Sequence, residues 1–436
     1  MYKQYVKQAW QLLKQNKLFS SIYIIGTGLA ISMVMIMAIV YYIKIANIYP
    51  ETNRDRILVA KSLTERSKSN ASFTNSSSFS YSAVKEYFYS LKSAEAVTAV
   101  FSAYGSAPYI QLSDNKTRVP VQVQYTDNAY WKVFSFSFVD GKPYSQADFI
   151  SGIHTMVISE SLAKEIFGSV NATGKTLSMD FTEYRISGVV RDASYATPET
   201  FAQAWVPYTC RDDYKAGFNG ISGLLGGMTV YILCHSSSEA YKISKEVSDK
   251  FQRYTNSQKK VRIELTGQPE LYWKSIFRTW SNVAQDWKEI IKSYFLLLML
   301  FLMVPAINLS SMISSRMNER ASEIGVRKAF GAPGHSLLNQ ILFENLILTC
   351  LGGIAGLLFS YILILLGHNW LLSIFDAWTS PLPEGVDVEF SPSMLINPTV
   401  FVITFIVCLV LNLLSAILPA WISLRKNIVD SLNAKN

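Results

Sequence analysis

Four stretches without a single charged side chain constrain this chain more than anything else in it. Residues 18–43, 294–315, 345–375 and 397–424 contain no Asp, Glu, Lys or Arg. About 20 apolar residues suffice to cross the hydrocarbon core of a bilayer as a helix, and each stretch is long enough. A water-soluble core helix of this length would keep a polar stripe, and none of the four does. The sequence therefore predicts an α-helical bundle of four transmembrane spans, placed at 18–43, 294–315, 345–367 and 399–424. The first is predicted to stay as an anchor. Its apolar run is about twice the h-region of a signal peptide, and "AIVYYIKIANIYP" offers no small-residue cleavage site.

Orientation follows from where Lys and Arg fall next to the spans. Lys3, Lys7, Lys14 and Lys17 precede the first, Arg316, Arg320, Arg327 and Lys328 follow the second, and Arg425, Lys426 and Lys435 follow the fourth. The loop at 368–398 has no basic residue, only Asp376, Glu384, Asp387 and Glu389. This pattern places both termini (1–17 and 425–436) and the loop at 316–344 in the cytoplasm. Residues 44–293 and 368–398 then lie outside, the expected arrangement for a multi-pass protein of a bacterial inner membrane. In the first segment, "YKQYVKQAWQLLKQNK" puts Tyr2, Tyr5, Val6, Trp10 and Leu13 on one helical face, which predicts an interfacial helix. The net charge of +8 follows largely from this topology, and no basic cluster points to nucleic acid.

"FGSVNATGKTL", residues 167–177, looks at first like an ATP-binding loop. A P-loop needs four residues between its glycines so that backbone amides curl round the phosphates. Gly168 and Gly174 enclose five. The context is also inverted, with a helical pattern before and strand patterns after, where a P-loop leaves a strand and opens a helix. A helix-to-strand turn on the outer side is expected.

About 250 residues between two spans make a folded domain rather than a loop. Strand patterns ("DRILVAKSL", "RVPVQVQYT", "HTMVISE", "KTLSMDF", "EYRISGVVRD", "FAQAWVPY", "TVYILCHSS", "QKKVRIELTG") mix with helical ones ("YSAVKEYFYSL", "SLAKEIFG", "SEAYKISKEVSDKFQRYT"), so a mixed α+β fold is predicted. Residues 62–82 are Ser/Asn-rich and read as a mobile loop. Residues 271–293 have apolar positions at helical spacing and read as a stalk helix running into the second span. The four histidines, His154, His235, His335 and His368, stand in no metal-ligand spacing, and "VISES" lacks the glycines of a nucleophile elbow. A non-catalytic chain with no cofactor or metal is expected. Cys350 and Cys408 fall inside spans. Cys210 and Cys234 fall outside, where pairing is left open.

The loop "SSRMNERASEIGVRKAFGAPGHSLLNQILFEN" predicts a helix with Glu323 and Arg327 in the favourable i, i+4 order. Gly331 should stop it, with Pro333 just beyond, and a second helix should start near His335 and climb through Glu344 into the third span. On chemistry alone this could be a charged turn at a membrane surface. Gly352, Gly356 and Ser360 recur every fourth residue in the third span, a small-residue stripe that permits close helix packing, within the chain or across a dimer.

"ERASEIGVRKAFGAPGHSLLNQILFENLILTCLGGIAGLL" closely resembles the signature of the FtsX-like permease family, and "LPAWISLRKNIVDSLN" resembles its closing segment. Outside, "DNAYWKVFSFSFVDGKPYSQADF", "VISESLAKEIFGS" and "GKTLSMDFTEYRISGVVRD" resemble the periplasmic core domain of macrolide-exporter (MacB) type permeases. Between Asp192 and Gly227 little of that pattern is visible. The resemblance implies a permease subunit of an ABC transporter, working as a homodimer or with a related permease. It implies energy from a cytoplasmic ABC ATPase, expected on a separate chain because only 17 residues precede the first span. It also leaves room for a periplasmic adaptor and an outer-membrane channel. Carried over by position, 319–331 would be the helix that docks on the ATPase. Within it, beginning at Glu319 and Arg320, Glu323, Arg327 and Lys328 would offer polar contacts, Ile324 and Phe330 apolar ones, Gly325 close approach and Gly331 the stop. Export or extraction of a substrate is the function this implies. The alternative is an FtsX-like signal transmitter that controls an outer hydrolase without transport, and a lone membrane receptor would leave the coupling signature without a job.

Overall fold

The computed structural model describes residues 17–69, 73–102, 108–111, 118–194, 196–218, 220–319, 321–375 and 398–425. The chain divides into two compact units, one formed by Met1–Tyr42, Trp287–Trp378 and Ser391–Asn436, the other by Ile43–Asp286 and Thr379–Phe390. The predicted interfacial helix at the N-terminus, the outer loop after the third span and most of the C-terminal tail lie outside the described residues.

The first unit is helical. Helix α1 spans Lys17–Ile45. Three of the remaining long helices, here α4, α6 and α7, span Trp287–Glu319, Gly334–Phe375 and Pro398–Arg425, and the short α5 spans Ala321–Ala329. Among the described residues three stretches are long and apolar enough to cross a membrane: Ser20–Ile45, Gly334–Leu366 and Pro398–Ile422. The charge-free stretch at 294–315 forms the middle of α4. Tyr23, Leu337, Ile341, Leu348, Ala416 and Ala420 form a buried cluster that ties α1, α6 and α7 together.

The second unit is a mixed α/β domain around one large branched sheet. Its strands are β1 (Ile57–Ala60), β2 (Leu63–Ser67), β3 (Thr74–Phe79), β4 (Ala96–Phe101), β5 (Tyr109–Gln111), β6 (Arg118–Pro120), β7 (Val123–Thr126) and β8 (Phe138–Gly141). After these come β9 (Thr155–Ser159), β10 (Thr176–Met179), β11 (Thr182–Val190), β12 (Ala204–Pro207), β13 (Leu225–Gly226), β14 (Met228–Leu233), β15 (Val261–Glu264) and β16 (Glu270–Leu271). The main path runs β15-β2-β3-β14-β4-β7-β12-β9-β11-β10-β5-β6. Pairs β7–β12 and β9–β11 are parallel, and the crossover from β9 to β11 uses helix α2, Glu160–Phe167. Strand β12 is buried at every position, and β14 at all but one, the pattern of strands covered on both faces. Helix α3, Ala240–Ser257, buries Ile243, Val247 and Phe251 at helical spacing. Phe251 packs among Phe79, Tyr87 and Phe88.

Two expectations are corrected here. The Ser-rich stretch at 62–82 is not a mobile loop throughout: it holds β2 and β3, which pair antiparallel from Leu63–Ser77 to Arg66–Thr74. Its hydroxyls serve the pairing, as Thr64 and Ser76 share a hydrogen bond of 2.8 Å. The stretch at 271–293 is not one stalk helix. A single turn at Tyr272–Ser275 is followed by irregular chain, and α4 begins only at Trp287. Buried Glu270 is the cause. It accepts from Arg278, and from Gln285 Nε2 at 2.7 Å, folding the segment back on itself.

Candidate functional site

The segment from α5 into α6 forms as a helix, a stop and a second helix. In α5 the last turn carries Arg327 and Lys328, cations suited to the negative end of the helix dipole. Gly331 takes φ +86°, a conformation without cost only for glycine. Its amide bonds the Lys328 carbonyl at 2.9 Å, and the Ala332 amide bonds the Arg327 carbonyl at 3.0 Å. These two bonds are the Schellman stop, which satisfies carbonyls the helix would leave open. Pro333 then accepts from the Ser336 amide at 3.0 Å and opens α6.

The stop leaves Phe330 89% exposed at the end of α5, beside exposed Val326. Arg327 turns the other way, with Nη1 donating to Gln340 Oε1 on α6 at 2.9 Å. Gly325 is buried, and Lys328 is half-buried. Glu319, Glu323 and Ile324 lie on α4 and α5, but their side chains, like all of Arg320, fall outside the described residues.

The small-residue stripe lies against α1. A methyl group on Gly352 would meet the Thr27 side chain at 2.9 Å, and one on Gly356 would meet the Gly28 carbonyl at 2.6 Å. Ser360 is fully buried and bonds back to the Leu357 carbonyl at 2.8 Å. Of the two partners left open for the stripe, Gly352 and Gly356 have the intrachain one.

The P-loop-like stretch is a helix-to-strand turn. Helix α2 ends at Gly168 with φ +66°, and β10 begins at Thr176. The Gly174 amide is bonded to the Ile186 carbonyl and the Lys175 amide to that of Ala172. The Thr173 amide is taken by Asp140 Oδ2 at 3.0 Å, so a carboxylate stands where a phosphate would need an open donor. Lys175 lays its ammonium over the Phe167 ring at 4.6 Å.

The mixed α/β domain also holds a cluster of buried charges that sequence reasoning missed. Arg54 and Glu51 are fully buried and bonded at 2.7 Å. Arg54 donates further to the carbonyls of Ile43, Ala46 and Ala196, and stacks over Tyr272. It thereby satisfies the end of α1. Nearby Lys61 bonds Glu199 at 2.6 Å, and Tyr231 donates to the second oxygen of Glu199. Burial pushes the Glu199 carboxyl up, but Lys61 and Tyr231 outweigh it and hold it below the usual carboxylate range. The sequence signal was thin: a charged "RDR" directly ahead of the apolar run "ILVA".

Cys210 and Cys234 are both free. The Cys210 thiol donates to the Ile153 carbonyl at 3.3 Å, and burial pushes both thiols up to about 11. Among the described residues no group of His, Cys, Asp and Glu could hold a metal ion.

A family model described as "MacB-like periplasmic core domain" matches residues 20–249, and one described as "FtsX-like permease C-terminal" matches 295–428. The uncharacterized ABC transporter permease YknZ of Bacillus subtilis is 22% identical over 290 residues, 66% of this chain and 67% of that protein. The macrolide export ATP-binding/permease protein MacB of Aggregatibacter actinomycetemcomitans is 26% identical over 261 residues. That match takes in 58% of this chain but only 37% of the longer protein. The crystal structure of the YknZ extracellular domain aligns with a TM-score of 0.34 at 15% identity, covering 47% of this chain and 99% of that one. With its core-domain match covering more than half of its length and the permease match following it, the chain belongs to the MacB/FtsX type of ABC transporter permease.

Proposed function

We propose that this chain is the membrane subunit of an ABC transporter in which a separate cytoplasmic ATPase docks on α5 and drives the outer domain. In this reading α4 is a fourth span, both termini and the α5–α6 turn are cytoplasmic, and the subunit works as a dimer. Its task is to export or extract a substrate from the membrane or the outer compartment.

The observation that carries the reading is Phe330. A large apolar side chain held almost fully exposed by a glycine stop, next to Lys328, has the form of an interface anchor with a polar neighbour. A bare charged turn has no use for it. Truncating a central aromatic anchor typically costs about 2 kcal/mol or more of binding, roughly thirtyfold in affinity.

The test is capture of the tagged full chain from native membranes, with bound proteins identified by mass spectrometry. An ATPase carrying ABC signature motifs should come with it, and Phe330→Ala should lose it while the permease itself melts as before. Capture of a cell-wall hydrolase system without any transported substrate would favour signal transmission. Full retention of the ATPase by Phe330→Ala would remove α5 as the docking element.

A further inference from the structure

The start of α6 carries a cluster of buried polar groups. Gln340, Glu344, Asn345 and Thr349 are all at least nine-tenths buried on this one helix. Burying a polar side chain costs free energy unless it is hydrogen-bonded, and a buried charge costs more unless it is paired.

Their bonding has a direction. Gln340 is an amide held between a cation and a carboxylate: Oε1 accepts from Arg327 of α5 at 2.9 Å, and Nε2 donates to Glu344 Oε1 at 3.2 Å. The carbonyl end of the amide faces the positive group and the amino end faces the negative one, so the dipole is aligned by both neighbours. On the next residue, Asn345 Nδ2 donates to the Ile341 carbonyl at 3.0 Å, which fixes its oxygen outward to accept from Tyr23 of α1 at 3.4 Å. Helix α6 thus bonds α5 through Gln340 and, about 140° further round its axis, α1 through Asn345.

We propose that two polar ties on α6, Arg327–Gln340–Glu344 and Asn345–Tyr23, form a relay that locks α5 and α1 to the same helix, so that displacement of α5 is delivered to the first span. For its use the relay rests on the reading of α5 as an ATPase dock. Arg327 then acts inside the permease as a positioning residue, and the outward contact falls to Phe330 and Lys328. An amide is required at Gln340 because a carboxylate there would be repelled by Glu344 one turn away and driven off its place against Arg327.

The test compares the full chain in detergent with Gln340→Leu, Gln340→Glu and the Gln340→Glu/Glu344→Gln pair by hydrogen–deuterium exchange. In both single variants α5 amides should exchange about tenfold faster, the scale of one lost charge-assisted hydrogen bond, while α7 keeps its protection. The pair restores one carboxylate and one amide in reversed order, and should bring α5 back to within about twofold of the parent. Exchange in the pair as fast as in Gln340→Glu, or α5 unchanged in Gln340→Leu, overturns the relay. Should Gln340→Leu lose α7 protection as well, the chain has unfolded, and the comparison of Gln340→Glu with its pair decides. These arms need no ATPase, so failure to capture one sinks the docking reading and leaves them standing. With the ATPase bound, ATP and vanadate should alter exchange in α1 of the parent complex and not in that of Gln340→Leu. A response that survives Gln340→Leu, or is missing from the parent, overturns transmission.

Discussion

Gly356 runs so close to Gly28 that a methyl group on the former would stand 2.6 Å from the carbonyl oxygen of the latter, and the approach is mutual. A methyl group on Gly28 would stand 3.1 Å from the Gly352 carbonyl. Both obstacles are backbone, which cannot swing aside as a side chain can. Helices α1 and α6 therefore touch along a strip where nothing larger than hydrogen fits, the arrangement that lets van der Waals packing hold helices together in a bilayer.

Gly356→Ala should accordingly lower the stability of the permease in detergent by about 1–3 kcal/mol, the usual cost of overpacking. Gly26 provides the control on the same pair of helices. A methyl group there meets nothing within 4 Å, so Gly26→Ala should be neutral or slightly stabilising. Thermal unfolding of the two variants against the parent checks this, and equal melting of all three would remove the strip as a packing element.

The second prediction concerns acid and base stability of the mixed α/β domain. Glu199 is held below its ordinary value, so the stability it contributes is present above the unfolded carboxylate value of about 4.3 and is lost as pH falls through the folded one. Burial works to lower Lys61, but Glu199 outweighs it and the net shift is upward. Its contribution is therefore complete below about 10.4 and is lost as pH rises through the folded value. Lys61→Met should cost most between about pH 5 and 10, with the difference from the parent shrinking on either side. The side chains keep 32% and 19% exposure, so the plateau should be about 1–3 kcal/mol, less than a fully buried pair would give. Melting temperature against pH measures it. A difference that stays constant from pH 3 to 11 would mean that Lys61 stabilises by packing alone.

What could be read from the sequence was whatever depends on neighbours along the chain. The charge-free stretches form long helices, Gly331 with Pro333 separates α5 from α6, and the runs read as strands form β1, β6, β7, β9 to β12, β14 and β15. Segments whose state is set by distant partners could not be read. Strand β3, "TNSSSF", has no apolar alternation and exists because β2 and β14 bond it. The irregular chain before α4 has helical spacing but is drawn aside by Glu270. The same holds for the sites. Lys61 and Glu199 stand 138 residues apart in sequence, and Tyr23 and Asn345 stand 322 apart, distances at which no spacing rule operates. Arg327 was visible as a cation on the coupling segment, but its inward turn to Gln340 depends on the angle at which Gly331 sends the chain back.

Topology gives the last prediction, and it tests the reading of Lys and Arg on which the cytoplasmic place of α5 depends. Ser238 is exposed on a short helical turn ahead of α3, and His335 is exposed in the first turn of α6. With basic residues retained on the inner side, Ser238 faces out and His335 faces in. The background should carry Cys210→Ser, since of the two cysteines in the mixed α/β domain Cys210 is the one that keeps some exposure. A cysteine at Ser238 should then react with a membrane-impermeant thiol reagent in intact spheroplasts. One at His335 should react only after the membrane is opened by detergent. Labelling of His335→Cys in sealed spheroplasts, with Ser238→Cys protected, would invert the chain. Helix α5 would then face away from any cytoplasmic ATPase, and the docking role of Phe330 would fall with it.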